Sequence, residues 1–301
     1  MNKPRLNIIG PGRLGRSIGR LLHMAGQIEV GALIGRHPAS TAAAHDFIGA
    51  GTVCTLDAAP AADYWLIATP DDAIAAAAAN LGQSGRLRSG DTVLHCSGAL
   101  ASGVMAPLRS LGVRIASVHP LKSFADPATA VTDFTATFCA CEGDALAVDE
   151  LIPMFEAIGG RCSRIAAEHK LLYHAAAVLA CNHLVALMDG ALRCLENAGI
   201  AREPAWHALQ PLIAGTLTNI DRKGTQQALT GPVARGDLAT LRAEIDATHA
   251  LDPDIGAAYR SLSLLALQLA PPGLALTRED LNSTNLPLQS PLPTADPPHQ
   301  P

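Results

Sequence analysis

Gly10-Pro11-Gly12-Arg13-Leu14-Gly15 stands between a short apolar run at 6–9 and a helix-like segment at 16–25. No other feature constrains the fold as tightly. Three glycines at this spacing, after a strand and before a helix, describe one kind of turn. Gly10 lets the chain turn sharply. Gly12 keeps the backbone bare, so that an anion can approach the free N–H groups at the helix N-terminus. Gly15 lets the helix lie close on the strand. Downstream, apolar strands at 28–34, 52–55, 64–69, 92–95 and 114–118 alternate with helical segments at 40–48 and 72–81. Segments at 135–141, 145–158 and 162–165 extend the alternation. This pattern predicts a parallel sheet with helices on both faces.

The pattern changes near Ala167. One long helical stretch is expected from there to Ala198, ended by Gly199. Further helices are expected at 203–209, 211–221, 238–248 and 254–269, giving an all-α second domain. Residues 271–301 are rich in proline and read as a disordered or loosely docked tail. The expected domains are therefore 1–166, 167–270 and the tail 271–301, in keeping with a 301-residue chain.

Composition narrows the function class. The chain is 49% hydrophobic and 16% charged, which excludes global disorder. Its net charge is −5, and no basic stripe stands out, so no nucleic-acid partner is expected. Seven cysteines without a C-x-x-C pair read as reduced thiols. Met1-Asn2-Lys3-Pro4-Arg5 leads directly into a short strand, so no signal peptide is expected. Asn182 and His183 interrupt the most apolar stretch, 175–188, so no membrane span is expected. A cytoplasmic small-molecule enzyme fits these facts.

The glycine loop predicts a dinucleotide site. An NAD site usually has an acid after the second strand for the ribose diol. Here Gly35-Arg36-His37-Pro38-Ala39-Ser40 stands there instead. Arg36 is placed for a 2′-phosphate, with Ser40 adding a hydroxyl and Arg13 a second guanidinium. The expected cofactor is NADP(H). Thr69 and Pro70 close another strand and should border the cofactor. Asp71 and Asp72 read as structural, with Asp72 as a helix cap.

Two further strand ends are polar: His95-Cys96-Ser97-Gly98 and His119-Pro120-Leu121-Lys122-Ser123. His95, Ser97 and His119 are candidates to bind a carbonyl, imine or carboxylate. A serine hydrolase would need a G-x-S-x-G elbow, and the first glycine is missing. No recognised metal-ligand spacing occurs, so no metal is expected. Lys170 and His174 are four apart on one helical face, which suggests Lys170 as proton donor or charge stabiliser and His174 as relay. Tyr173 reads as packing. Asn182, two turns later, is a candidate substrate contact. In Thr230-Gly231-Pro232-Val233-Ala234-Arg235-Gly236-Asp237, Arg235 is a candidate anion clamp and Asp237 a helix cap.

These motifs together carry a resemblance. The glycine fingerprint, T-P-D-D at Thr69, H-C-S-G at His95, H-P-L at His119, K-x-x-Y-H at Lys170 and T-G-P-x-x-R-G-D at Thr230 resemble a Rossmann-like family with a helical second domain. That second domain is of the type called domain of unknown function 2520. The resemblance covers about residues 5–270. More remotely, the chain is similar to pyrroline-5-carboxylate reductases, deazaflavin-dependent NADP oxidoreductases and β-hydroxyacid dehydrogenases. It implies a Rossmann-type parallel-sheet domain followed by an all-α, 6-phosphogluconate-dehydrogenase-like C-terminal domain. In the β-hydroxyacid group a catalytic Lys precedes an Asn by four residues; Lys170 falls on that Lys, and His174 replaces the Asn. The resemblance also implies a homodimer formed through the helical domains. The expected function is NADP(H)-dependent hydride transfer to or from a small carbonyl, imine or hydroxy acid bound between the domains. The alternative is a non-catalytic NADP(H)-binding sensor or scaffold.

Overall fold

The computed structural model of the chain describes residues 3–282. The early alternation becomes one eight-stranded sheet: β1 (Arg5–Ile9), β2 (Glu29–Ile34), β3 (Thr52–Val53), β4 (Tyr64–Ile67), β5 (Thr92–His95), β6 (Arg114–Pro120), β7 (Phe138–Gly143) and β8 (Arg161–Arg164). The strand order is β3-β2-β1-β4-β5-β6-β7-β8. The first six strands have the doubly wound order of a Rossmann domain and pair in parallel. The helices of this region are α1 (Arg13–Met24), α2 (Pro38–Ile48), α3 (Asp71–Gln83), α4 (Pro127–Thr132), α5 (Ala145–Ala157) and α6 (Lys170–Ala180).

The sheet is mixed, which corrects the expectation of parallel strands throughout. β7 runs antiparallel to β6, with Val118 opposite Cys141 and His119 opposite Ala140. β8 is parallel to β7. The connection from β6 to β7 carries one helix, α4, of six residues.

Strand periodicity fills both faces. Leu6, Ile8, Leu66 and Leu94 face Ile18 and Leu22 of α1 and Phe155 of α5. Their sheet neighbours Trp65, Ile67, Val93 and Ile115 point the other way, onto Ile74 and Leu81 of α3 and onto Met105 and Leu108. The last two belong to a 3-10 segment, Ser102–Leu111, that the sequence reading does not contain. A parallel sheet buried on both faces needs such continuous apolar strands.

The chain divides into two compact units between Asn182 and His183, sixteen residues beyond the expected boundary at 166. The predicted long helix is therefore not one element. A 3-10 turn at Ala167–His169 leads into α6, the chain breaks at Cys181 (φ −120°, ψ −67°), and α7 (Asn182–Asn197) begins the second unit. By length and composition alone, the stretch Ala167–Asn197, which holds an 18-residue window of mean hydropathy 1.6, is apolar enough to cross a membrane, which qualifies the expectation of no such segment. The first residue of α6 is nevertheless buried in the sheet unit.

The second unit continues with α8 (Arg202–Ala228), α9 (Gly231–Arg235), α10 (Leu238–Leu251), α11 (Pro253–Leu267) and α12 (Arg278–Asn282). The two helices expected at 203–209 and 211–221 are one, with Pro211 inside it. The break falls instead at Gly224, whose φ of 75° and ψ of 167° interrupt the helix. Val233, Leu241 and Ile245 form a small core with Leu276 and Leu281. Residues 271–282 of the expected tail are thus docked, because two leucines give them something to bury. The rest of that tail lies outside the described residues.

Candidate functional site

The glycine loop has the geometry its spacing requires. Gly10 has φ of 75°, and a Cβ there would stand 2.8 Å from Thr69 Cγ2. A Cβ on Gly15 would meet Ala68 Cβ at 2.8 Å, so α1 lies against the end of β4. A Cβ on Gly12 would meet only Gly10 O, at 3.9 Å, and no side chain caps the N-terminus of α1. The first-turn N–H groups therefore have no side-chain partner, which is the arrangement an anion fits. The Thr69 hydroxyl is buried and also lacks a partner. Pro11 is buried and Leu14 half-buried, while Arg13, Arg36, Ser40 and Pro70 are exposed along the same strand ends. An orphaned hydroxyl, bare amides and free guanidiniums form a donor set that fits a dinucleotide diphosphate.

A chain of contacts runs from this loop along the rim of the sheet. Beyond Thr69, Asp71 opens α3, and Ser97 Oγ donates to its Oδ2 at 2.8 Å. The same Ser97 oxygen accepts from the N–H groups of Ala99 at 3.2 Å and Leu100 at 2.9 Å. Ser97 thus fixes the turn after β5 and has no remaining proton to give. The expected cap role falls to neither aspartate, since α3 has no side-chain cap. In unit two, Asp237 does cap α10 through the Thr240 N–H.

Gly98 forms the floor beneath two imidazoles. A Cβ there would stand 2.4 Å from His174 Nδ1 and 2.8 Å from His119 Nε2. The two rings meet edge to face, with centroids 5.9 Å apart. His119 Nδ1 is hydrogen-bonded to the Tyr173 hydroxyl at 3.0 Å. Tyr173 is therefore part of the cluster rather than packing alone. His174 Nδ1 is buried without a partner. Burial, then the Lys170 ammonium, then His174 push His119 down to about 4. His95 is fully buried and accepts the Ser97 N–H at Nδ1, 3.1 Å away. It is also pushed down to about 4, first by burial and then by Lys170. Both rings are neutral near pH 7.

Lys170 is where the structure departs furthest from the sequence reading. Its side chain is 1% exposed. The ammonium donates to Glu142 Oε1 at 3.2 Å and to Ser117 Oγ. Glu142 also accepts the Ser102 N–H and hydroxyl, each at 2.7 Å. Two of its three N–H donors are thus taken by groups on the sheet, which ties Lys170 to Ser117 and Glu142. Burial lowers its basicity, and Glu142 opposes that shift.

Asn182 is exposed at the edge of the first unit, away from the contacts just described. Arg235 is exposed at the end of α9 in the second unit. Among the described residues no group of three His, Cys, Asp or Glu side chains converges for a metal. A polar cleft of about 530 Å³ opens at the opposite, N-terminal end of the strands, lined by Tyr64, Arg88, Asp91, Arg114 and Glu150. Arg88 pairs with Asp91 and Arg114 with Glu150, so these charges satisfy one another. Sequence reasoning missed Ser102, Ser117 and Glu142. The available signal was a lone acid inside the apolar strand Phe138–Gly143.

Comparison with known proteins agrees with this architecture. Residues 1–120 match a Rossmann-like domain, and residues 137–266 match a domain of unknown function, DUF2520. The protein TM1727 of Thermotoga maritima is 26% identical, with a TM-score of 0.69 over 88% of this chain and 98% of that one. An imine reductase of Myxococcus stipitatus in complex with NADP+ is 14% identical, with a TM-score of 0.68 over 93% and 99%. A reductive aminase of Aspergillus terreus in complex with NADPH and ethyl-5-oxohexanoate is 15% identical, with a TM-score of 0.65 over 93% and 98%. The last two likenesses establish a shared fold. No curated protein matches the chain.

Proposed function

We propose that the chain is an NADP(H)-dependent oxidoreductase acting on a small carbonyl, imine or hydroxy acid. The observation that carries this reading is the unbroken rim from the glycine loop, through Thr69 and the Asp71–Ser97 pair, to the His119–Tyr173–His174 cluster. Gly10, Pro11, Gly12, Leu14 and Gly15 shape the loop that holds the diphosphate. Arg36, Ser40 and Arg13 take the 2′-phosphate, and Thr69 and Pro70 border the ribose. Bound NADPH supplies the hydride.

The chain's own work is orientation and proton handling. His119, uncharged near neutral pH, offers a ring nitrogen to the substrate oxygen or nitrogen while Tyr173 holds the other. His174 flanks it across Gly98. His95 and Ser97 support the turn beneath. Fold likeness to NADP-bound reductases supports the cofactor assignment. We further propose a cytoplasmic homodimer formed through the helices, consistent with seven free cysteines and with exposed Val185 and Leu212.

The test is NADPH oxidation by the full chain against a panel of ketones, imines and 2-oxo acids, with binding measured in parallel. Turnover of any panel member, abolished in His119→Ala with NADPH affinity retained, is the expected result. Tight binding without turnover across the panel would replace the enzyme reading with the sensor reading.

A further inference from the structure

A lysine at the start of a helix ordinarily extends into water. Lys170 does the opposite, and a buried charge is costly unless it is paired and hydrogen-bonded. Its partners come from three separate places: Ser117 on β6, Glu142 on β7 and, through Glu142, both the N–H and hydroxyl of Ser102. Such a closed polar network accepts one geometry only. It ties the first turn of α6 to the sheet at a single point. Tyr173 and His174 lie three and four residues further on, on the same helical face. One residue of slippage in α6 would move them by about 1.5 Å along the axis and about 100° around it. Both the Tyr173–His119 hydrogen bond and the His174 seat over Gly98 would then be lost.

We propose that Lys170 and Glu142 are a positioning pair, and that Lys170 is not a proton donor. The pair fixes the register of α6, which places Tyr173 and His174 on His119. The Lys170 ammonium also biases His119 toward its neutral form. The groups facing His119 can be named element by element. β5 contributes His95, and the neighbouring Cys96 thiol is held protonated by burial. β7 contributes Ala140 opposite and Glu142 through its bond to Lys170. α3 contributes Asp71, which favours the charged ring. α6 contributes Lys170 and His174, which oppose it, and the Tyr173 hydroxyl. Burial is the largest influence and Lys170 the next.

The test reads the imidazoles directly, so it needs neither cofactor nor substrate. Ring ¹⁵N–¹H spectra of the full chain are followed from about pH 8 to about pH 4. In the parent, His119 should stay neutral until about pH 4. Lys170→Met/Glu142→Gln removes both charges with little change in volume, and the folded variant should titrate His119 roughly one unit higher. Lys170→Met alone, which leaves the carboxylate, should move it further in the same direction. Glu142→Gln alone keeps the ammonium and should lower it or leave it unchanged.

A parent His119 titrating near its ordinary value of about 6.5 would overturn the proposal. So would an unshifted His119 in the folded double variant. Should the double variant fail to fold by circular dichroism, a rise in Glu142→Gln would have the same force. The inference rests on the reductase reading only for its effect on turnover. Failure to bind NADPH would remove that reading and leave this titration unaffected.

Discussion

The two units handle apolar surface in opposite ways. In the sheet unit both faces of the strands are covered, and Trp65, Ile67, Leu66 and Ile8 are at most 1% exposed. In the helical unit the core is small, and large apolar side chains stand open: Val185 is 69% exposed, Leu212 66% and Leu217 56%. A sheet completes its burial with its own crossover helices. Helices apolar on more than one side need something further to cover them. The first unit is thus built to hold a rim of polar strand ends rigidly. The second is built to be covered, and we propose that a second copy covers it.

Removing a large side chain from the closed core should produce the largest effect. Trp65→Ala should destabilise the sheet unit by about 3–5 kcal/mol, read from denaturant unfolding of the full chain. A loss below about 1 kcal/mol would mean that this core is far looser than the burial of Trp65 indicates.

Acid should also weaken the sheet unit selectively. His95 and His119 are held near 4 in the fold, against about 6.5 in an unfolded chain. Between those values the unfolded state binds more protons, so stability should fall as pH drops from about 6.5 to about 4. Thermal melts across that window measure it. His95→Gln/His119→Gln should flatten the dependence, and an equally steep profile in that variant would assign the acid sensitivity elsewhere.

Smaller still is the effect of cofactor choice. Arg36 is exposed, so its loss should leave folding intact. A charge-assisted contact with a 2′-phosphate contributes roughly 1.5–3 kcal/mol, so Arg36→Ala should weaken NADPH about ten- to a hundred-fold and spare NADH. Equal weakening of both would indicate a different role. The smallest change in monomer stability is expected from Val185→Ser/Leu212→Ser, within about 0.5 kcal/mol. Sedimentation should nonetheless show that variant monomeric and the parent dimeric. A monomeric parent would remove the proposed interface.

How much of this was legible in the residues follows from what each signal depends on. The glycine loop, Thr69 and the positions of the first six strands depend on local spacing and alternation, and the structure has them where the sequence places them. The antiparallel direction of β7 is set by its pairing with β6, which alternation does not report. Its helical face makes Lys170 look reactive, because a one-dimensional pattern does not show that Glu142, 28 residues earlier, pairs with it. Tyr173 reads as packing for the same reason. Its partner His119 is 54 residues away, on β6. The break at Cys181 has no Gly or Pro to announce it, whereas Gly224 could have announced the one in α8.

Calorimetric titration of the full chain with NADPH and, separately, NADH tests the central claim most directly. The account predicts one NADPH site per chain, tighter than that for NADH, with the preference lost in Arg36→Ala. No detectable binding of either nucleotide at about millimolar concentration, where even a weak site registers at about −4 kcal/mol, would contradict it.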